Sequence, residues 1–195
     1  MITLLLISCF LCSHPVDEVK TTAVADTIYY SDSGYVKFTS EVPLHTFSGE
    51  SDKLAGMIDF KENIIDFFVD LNTLETGNGK RDRDMLETLN ADQHPFAEFS
   101  GEMEPITEVP LPGEKITVTA SGTFIINGVS NELTLEGSLQ NENDILILEA
   151  SWDLSLADYN IEPPGILFYR VNDIQKLEIK VKLEPKSKSE LDLQN

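Results

Sequence analysis

The sequence predicts an all-β domain of about eight antiparallel strands that close on a shared interior as a barrel or a sandwich. Three observations carry this. From Gly34 onward, apolar residues recur at every second position, the spacing of strands with one buried face. Turn-forming residues punctuate those runs, with Asn127-Gly128 the clearest case. Only one stretch, 81–90, carries helical spacing. Many one-sided antiparallel strands cannot each bury a face alone, so they must share one.

Taken in order, GYVKFTSEV sets Val36, Phe38 and Val42 against Tyr35, Lys37, Thr39 and Glu41. In KLAGMIDF, Leu54, Ile58 and Phe60 share a side. In IIDFFVDLN, Ile65, Phe67, Val69 and Leu71 oppose Asp66, Phe68 and Asp70. Residues 81–90, RDRDMLETLN, place Met85, Leu86 and Leu89 on one helical face, with Asp82 and Asp84 read into a first turn where the helix dipole favours acids. KITVTASGTFIIN alternates Ile116, Val118, Ala120, Phe124 and Ile126 with Thr and Ser. Asn127-Gly128 follows, the pair suited to a type I′ hairpin because both positions need positive φ. LILEASWDLSL buries Leu146, Leu148, Ala150, Trp152, Leu154 and Leu156, and KLEIKVKLE buries Leu177, Ile179, Val181 and Leu183. Further breaks fall at Pro110-Leu111-Pro112-Gly113, Asn141-Glu142-Asn143-Asp144 and Pro163-Pro164-Gly165.

The chain of 195 residues thus divides into a leader (1–12), a polar tether (13–31), the β domain (32–184) and a disordered polar tail (185–195). MITLLLISCFLC is nearly all apolar but too short for a membrane span, which needs about 20 such residues, and it suits the core of an export signal. No Lys or Arg precedes Lys20. Two processing routes compete. Leu6-Ile7-Ser8-Cys9 resembles a lipobox, which would lipidate Cys9 and tether the protein to a membrane, whereas Ala23-Val24-Ala25 has the small-residue spacing of ordinary cleavage. Either route places the domain outside the cytoplasm, periplasmic or secreted. Both cysteines, Cys9 and Cys12, fall in the leader, leaving the domain no disulfide, thiolate metal site or catalytic thiol.

Composition bounds the function. Acids number 34 against 14 Lys and Arg, a net charge of −20, which repels phosphate backbones and argues against a nucleic-acid partner. Of three histidines, His14 lies in the leader or tether, while His45 and His94 stand near no recognisable nucleophile. No His or Cys spacing suits zinc, and no segment matches a calcium loop, so no metal, cofactor or catalytic residue is expected. Gly77-Asn78-Gly79 lacks the Gly-Lys-Ser/Thr of a phosphate loop and reads as a tight turn. What remains is apolar area. Phe38, Phe60, Phe67, Phe124 and Trp152 face inward, and an eight-stranded barrel is either filled by side chains or holds one small ligand. Nothing in the pattern sets an oligomeric state.

The segment Thr76-Gly77-Asn78, Arg81-Asp82, Met85-Leu86, then His94-Pro95-Phe96-Ala97-Glu98-Phe99 resembles the YceI-like family. So do Gly122-Thr123-Phe124-Ile125-Ile126-Asn127-Gly128-Val129 with Leu133-Thr134-Leu135, and upstream Val36-Lys37-Phe38 and Leu54 to Phe60. The resemblance covers about Gly34 to Glu184. It departs at Ile125, where the family has Thr, and at Asn127-Gly128, where His-Gly is frequent. The resemblance implies a lipocalin-like barrel with a short inserted helix, and an apolar tunnel that binds a long isoprenoid or similar lipid without catalysis. On that basis the candidate lining residues are Phe38, Phe60, Phe67, Val69, Leu86, Phe99, Phe124 and Trp152. Arg81, near the expected mouth, is a candidate for a lipid headgroup or, alternatively, for an ion pair with Asp82 or Asp84. The competing reading is an exported interaction module with a packed barrel and a functional acidic surface.

Overall fold

Eight strands close edge to edge into a barrel in this computed structural model, which describes residues 27–42, 45–163, 165–166, 169–170 and 172–187. The leader with Cys9, most of the tether, Pro164 and residues 188–195 lie outside the described residues. The strands are β1 (Thr27–Val42), β2 (His45–Asp59), β3 (Ile64–Asp70), β4 (Phe96–Met103), β5 (Lys115–Ile126), β6 (Val129–Glu142) and β7 (Ile145–Ser155), with β10 (Ile174–Ser187) last. Two-residue strands β8 (Gly165–Ile166) and β9 (Tyr169–Arg170) pair with each other apart from the barrel. Around the barrel the order is β1-β10-β7-β6-β5-β4-β3-β2, and every pairing is antiparallel. It is an up-and-down meander whose first and last strands meet, which leaves no open edge.

The barrel is longer at both chain ends than the sequence pattern predicts. β1 starts at Thr27, inside the expected tether, and β10 runs to Ser187, inside the expected tail. The two extensions pair with each other, Thr27 opposite Ser187 and Tyr30 opposite Glu184. A register shift between Tyr30 and Tyr35 breaks the alternation just where the pattern would otherwise announce the strand.

The turns form as their residues require. Asn127 and Gly128 adopt φ of 54° and 70°, and Ile126 pairs with Val129 across a two-residue loop. Asn143 and Asp144, at φ of 56° and 70°, make the equivalent turn between β6 and β7.

The helix α1 spans Gly79–Thr88, two residues earlier than its apolar spacing suggests. Asn78 caps it, its side chain accepting from the N–H groups of Lys80 (3.0 Å) and Arg81 (3.2 Å). Asn90, with φ of 53°, ends it, and Ala91 N–H closes onto the Leu86 carbonyl at 3.0 Å. The earlier start leaves Asp82 as the acid of the first turn, and Asp84 instead pairs with Lys80 one turn back, at 2.7 Å. The Gly-Asn-Gly stretch is therefore a helix entrance, with Gly77 at a φ of 75°. Among the described residues no helix is long and apolar enough to cross a membrane.

The connections divide the barrel into two ends. The β3–β4 segment with α1, the Asn127-Gly128 hairpin and the β7–β10 connection lie at one end. The β2–β3 turn, the β4–β5 loop and the β6–β7 hairpin lie at the other. At that second end Asn141 is buried, yet all its polar groups are used. Its side-chain amide donates to the Pro110 carbonyl (2.7 Å) and its backbone N–H to the Glu114 carbonyl (3.0 Å). Its side-chain oxygen accepts from Asp144 N–H and its carbonyl from Gly113 N–H. One asparagine thus ties the β4–β5 loop across the barrel's closed end.

Candidate ligand-binding cavity

The interior at the helix end is hollow. A cavity of about 1000 Å³ runs from beneath α1 into the barrel. Its width has a local cause: Ala97, Ala120, Gly137 and Ala150 occupy inward positions on four successive strands, β4 to β7. Gly137 faces Ala150 on one side and Val118 on the other, so this part of the wall carries little side-chain volume. Aromatic side chains stand around it. Phe124 meets Trp152 edge-on at 6.4 Å and Tyr159 at 5.6 Å, and Phe38 meets Phe47 edge-on at 6.2 Å. Trp152 is only half-buried although it points inward, because part of it faces the cavity. Its indole N–H finds no acceptor among the described residues.

Six of the eight predicted apolar lining residues, Phe38, Phe67, Val69, Phe99, Phe124 and Trp152, stand on this wall. Two do not. Phe60 follows the last residue of β2 and is buried at the closed end, edge-on to Tyr29 at 5.5 Å. Leu86 packs against the core from α1, but the helical turn directs Met85 and Leu89, four residues apart, to the cavity instead. Leu54 and Met85, inward by their spacing, join the lining, as does Phe47. Phe47 lies in HTFSG, a stretch without a clean alternating run, and meets the cavity-lining Phe38 edge-on.

The mouth is polar. Asn78, Lys80, Arg81, Asp84, Glu87 and Thr88 of the helix segment rim it. Arg81 is held by a small network. Its Nε donates to the Thr76 hydroxyl (3.0 Å), its Nη2 donates to the Thr76 carbonyl (3.3 Å), and its guanidinium lies 5.0 Å from the centre of the Phe47 ring. The Thr76 hydroxyl and N–H both donate to the Asp82 carboxylate. Those hydrogen bonds hold the Asp82 carboxyl below its ordinary range, the hydroxyl contributing most. The ion pair expected as the alternative for Arg81 does not form: among the described residues no carboxylate lies within 4.0 Å of its guanidinium, and Asp84 is engaged by Lys80. A hydroxyl stands between Arg81 and Asp82.

His45 opens β2. The His94 ring packs on the hairpin at Gly128, where a Cβ would come within 2.6 Å of it, so glycine there serves both the turn and this contact. Among the described residues no group of three or more His, Cys, Asp or Glu is arranged to hold a metal.

Residues 29–184 match the YceI-like domain. No curated protein matches the chain. Among solved structures, a polyisoprenoid binding domain from Saccharophagus degradans, implicated in plant cell wall breakdown, superposes with a TM-score of 0.70 at 16% identity, covering 82% of this chain and 98% of the other. Burkholderia cenocepacia BcnA gives 0.64 at 12% identity over 77% and 95%. The Campylobacter jejuni YCEI protein gives 0.50 at 14% identity over 88% and 90%. At these identities the likeness is one of fold.

Proposed function

This chain belongs to the YceI-like family, and from that premise we propose that its barrel binds a long apolar amphiphile, an isoprenoid or related lipid, with the tail inside and the polar head at the mouth. The observation that carries this reading is the cavity itself, about 1000 Å³, apolar in depth and rimmed by Lys80 and Arg81. A packed barrel, the competing reading, would leave no such space. The polyisoprenoid-binding Saccharophagus neighbour supports the ligand class. Each CH₂ moved from water into the wall contributes about 0.8 kcal/mol, so a tail of moderate length binds tightly with no charged contact. Arg81, with no carboxylate within 4.0 Å among the described residues, supplies a cation for a phosphate or carboxylate head.

The role is that of a carrier or sequestering protein of the cell envelope, binding its lipid without transforming it. The apolar run at residues 1–12 supports export. Processing before Cys9 would leave the barrel on a lipid anchor, and processing after Ala25 would release it; the mass of the protein recovered from membranes distinguishes the two. The ligand reading is tested by native mass spectrometry of the chain from Asp26 onward. A stoichiometric adduct of isoprenoid or hydrocarbon mass is expected. A bare protein mass that persists after incubation with prenols and prenyl phosphates would reject it.

A further inference from the structure

We infer that a packed floor inside the barrel sets the longest ligand tail the protein accepts, and that Val181 and Leu139 are the residues that fix it. The inference rests on the lipid-binding reading and adds a length limit to it. On four strands the cavity ends short of the closed end, whereas on β3 and β4 its lining continues down to Ile65 and Met103. On β10, Leu177 and Ile179 face the cavity, whereas Val181 and Leu183 do not. On β7 the change comes between Leu148 and Leu146, on β6 between Gly137 and Leu139, and on β2 between Leu54 and Ile58. Register puts the floor residues beside the cavity's lower edge: Val181 and Leu139 both lie opposite Leu148, the last cavity-facing residue of β7. Ile58, Leu139, Leu146, Val181 and Leu183 are each 0% exposed.

The floor is fixed in place from below and from the side. Beneath it, Asn141 holds the β4–β5 loop over the barrel end with its polar groups fully used. Beside it, the Val181 methyls press on Gly34, where a Cβ would come within 3.0 Å of them and 2.9 Å of the Leu54 carbonyl. The absence of a side chain at Gly34 is what lets Val181 fill the cross-section. A tail descending from the mouth therefore meets a wall of close-packed methyl groups that cannot be pushed further down.

The test is a titration of the full barrel, by isothermal calorimetry, with all-trans prenols of increasing length. Affinity should rise by about fourfold per buried CH₂ and then cease to rise at a break length. Val181→Ala should move the break to longer prenols. Ala150→Leu, which adds volume from the wall above the floor without touching the packed layer, should move it to shorter ones. A series without a break overturns the inference, as does a break that stays at the same length in Ala150→Leu, even if Val181→Ala proves too unstable to measure. Failure of the unaltered protein to bind any prenol would instead reject the lipid reading, and the length limit with it.

Discussion

The two halves of the barrel interior are built by the same strands with the same alternation, yet one half is solid and the other hollow. At the closed end, Ile58, Leu139, Leu146, Val181 and Leu183 meet across the axis with no exposed surface. A few residues toward the helix, Ala97, Ala120, Gly137 and Ala150 stand where large side chains would be needed to meet, and the interior opens. The difference teaches that inward orientation and core packing are separate properties. Strand period decides which way a side chain points. The summed volume of side chains at one level of the barrel decides whether that level is core or pocket.

The comparison is most severely tested by making one substitution in both halves. Leu139→Ala in the floor should cost about 3–5 kcal/mol of unfolding free energy, because it leaves a void that its neighbours cannot fill. Leu177→Ala on the cavity wall should cost about 2 kcal/mol or less, the transfer contribution alone, since the space beside it is already empty. Urea denaturation of both variants decides the matter, and equal losses would erase the distinction between floor and wall. A smaller effect separates the wall from the mouth. Arg81→Ala should weaken a prenyl phosphate by about tenfold, the scale of a hydrogen bond to a charged group, while leaving the matching prenol within about twofold. Equilibrium dialysis with the two ligands reads this, and an equal loss for both would mean that Arg81 shapes the mouth rather than meeting the head. The smallest effect is one of pH. The Asp82 carboxyl is held low by Thr76, so its stabilising contribution is present above the unfolded-state value of about 3.9. That contribution is lost as pH falls from there through the lower folded value. Asp82→Asn should remove that limb from a plot of stability against pH, and a limb unchanged in the variant would assign it to other carboxylates.

Much of this architecture is legible in the sequence, for reasons that also mark where reading stops. KLEIKVKLE and LILEASWDLSL alternate without interruption, so their faces follow directly from strand geometry. Asn127-Gly128 announces its hairpin because few other pairs accept two positive φ values. The first half of β1 is hidden, because the shift between Tyr30 and Tyr35 puts its inward residues out of phase with those that follow. Apolar spacing puts the helix two residues late because its start depends on Asn78 as a cap. For the site the limit is more basic. Ile179 and Val181 are adjacent inward positions of one strand and read alike, yet one faces the cavity and the other seals it. Their difference arises from Gly34 and Gly137, residues on other strands that only the closed barrel brings alongside. Leu86 stands off the cavity wall for a related reason: of three apolar residues on one helical face, only Met85 and Leu89 are directed at the cavity.

The position of Trp152 has an optical consequence. It is the chain's single tryptophan, and it stands on the cavity wall with an indole N–H that has no partner among the described residues. All indole emission from this protein therefore originates at the surface a ligand would touch. Replacing water beside the ring with hydrocarbon would shift that emission to the blue, whereas an acceptor reaching the N–H would shift it to the red. The protein thus carries its own dye, placed to report both that the pocket is filled and whether the part of the ligand lying there is oil or oxygen.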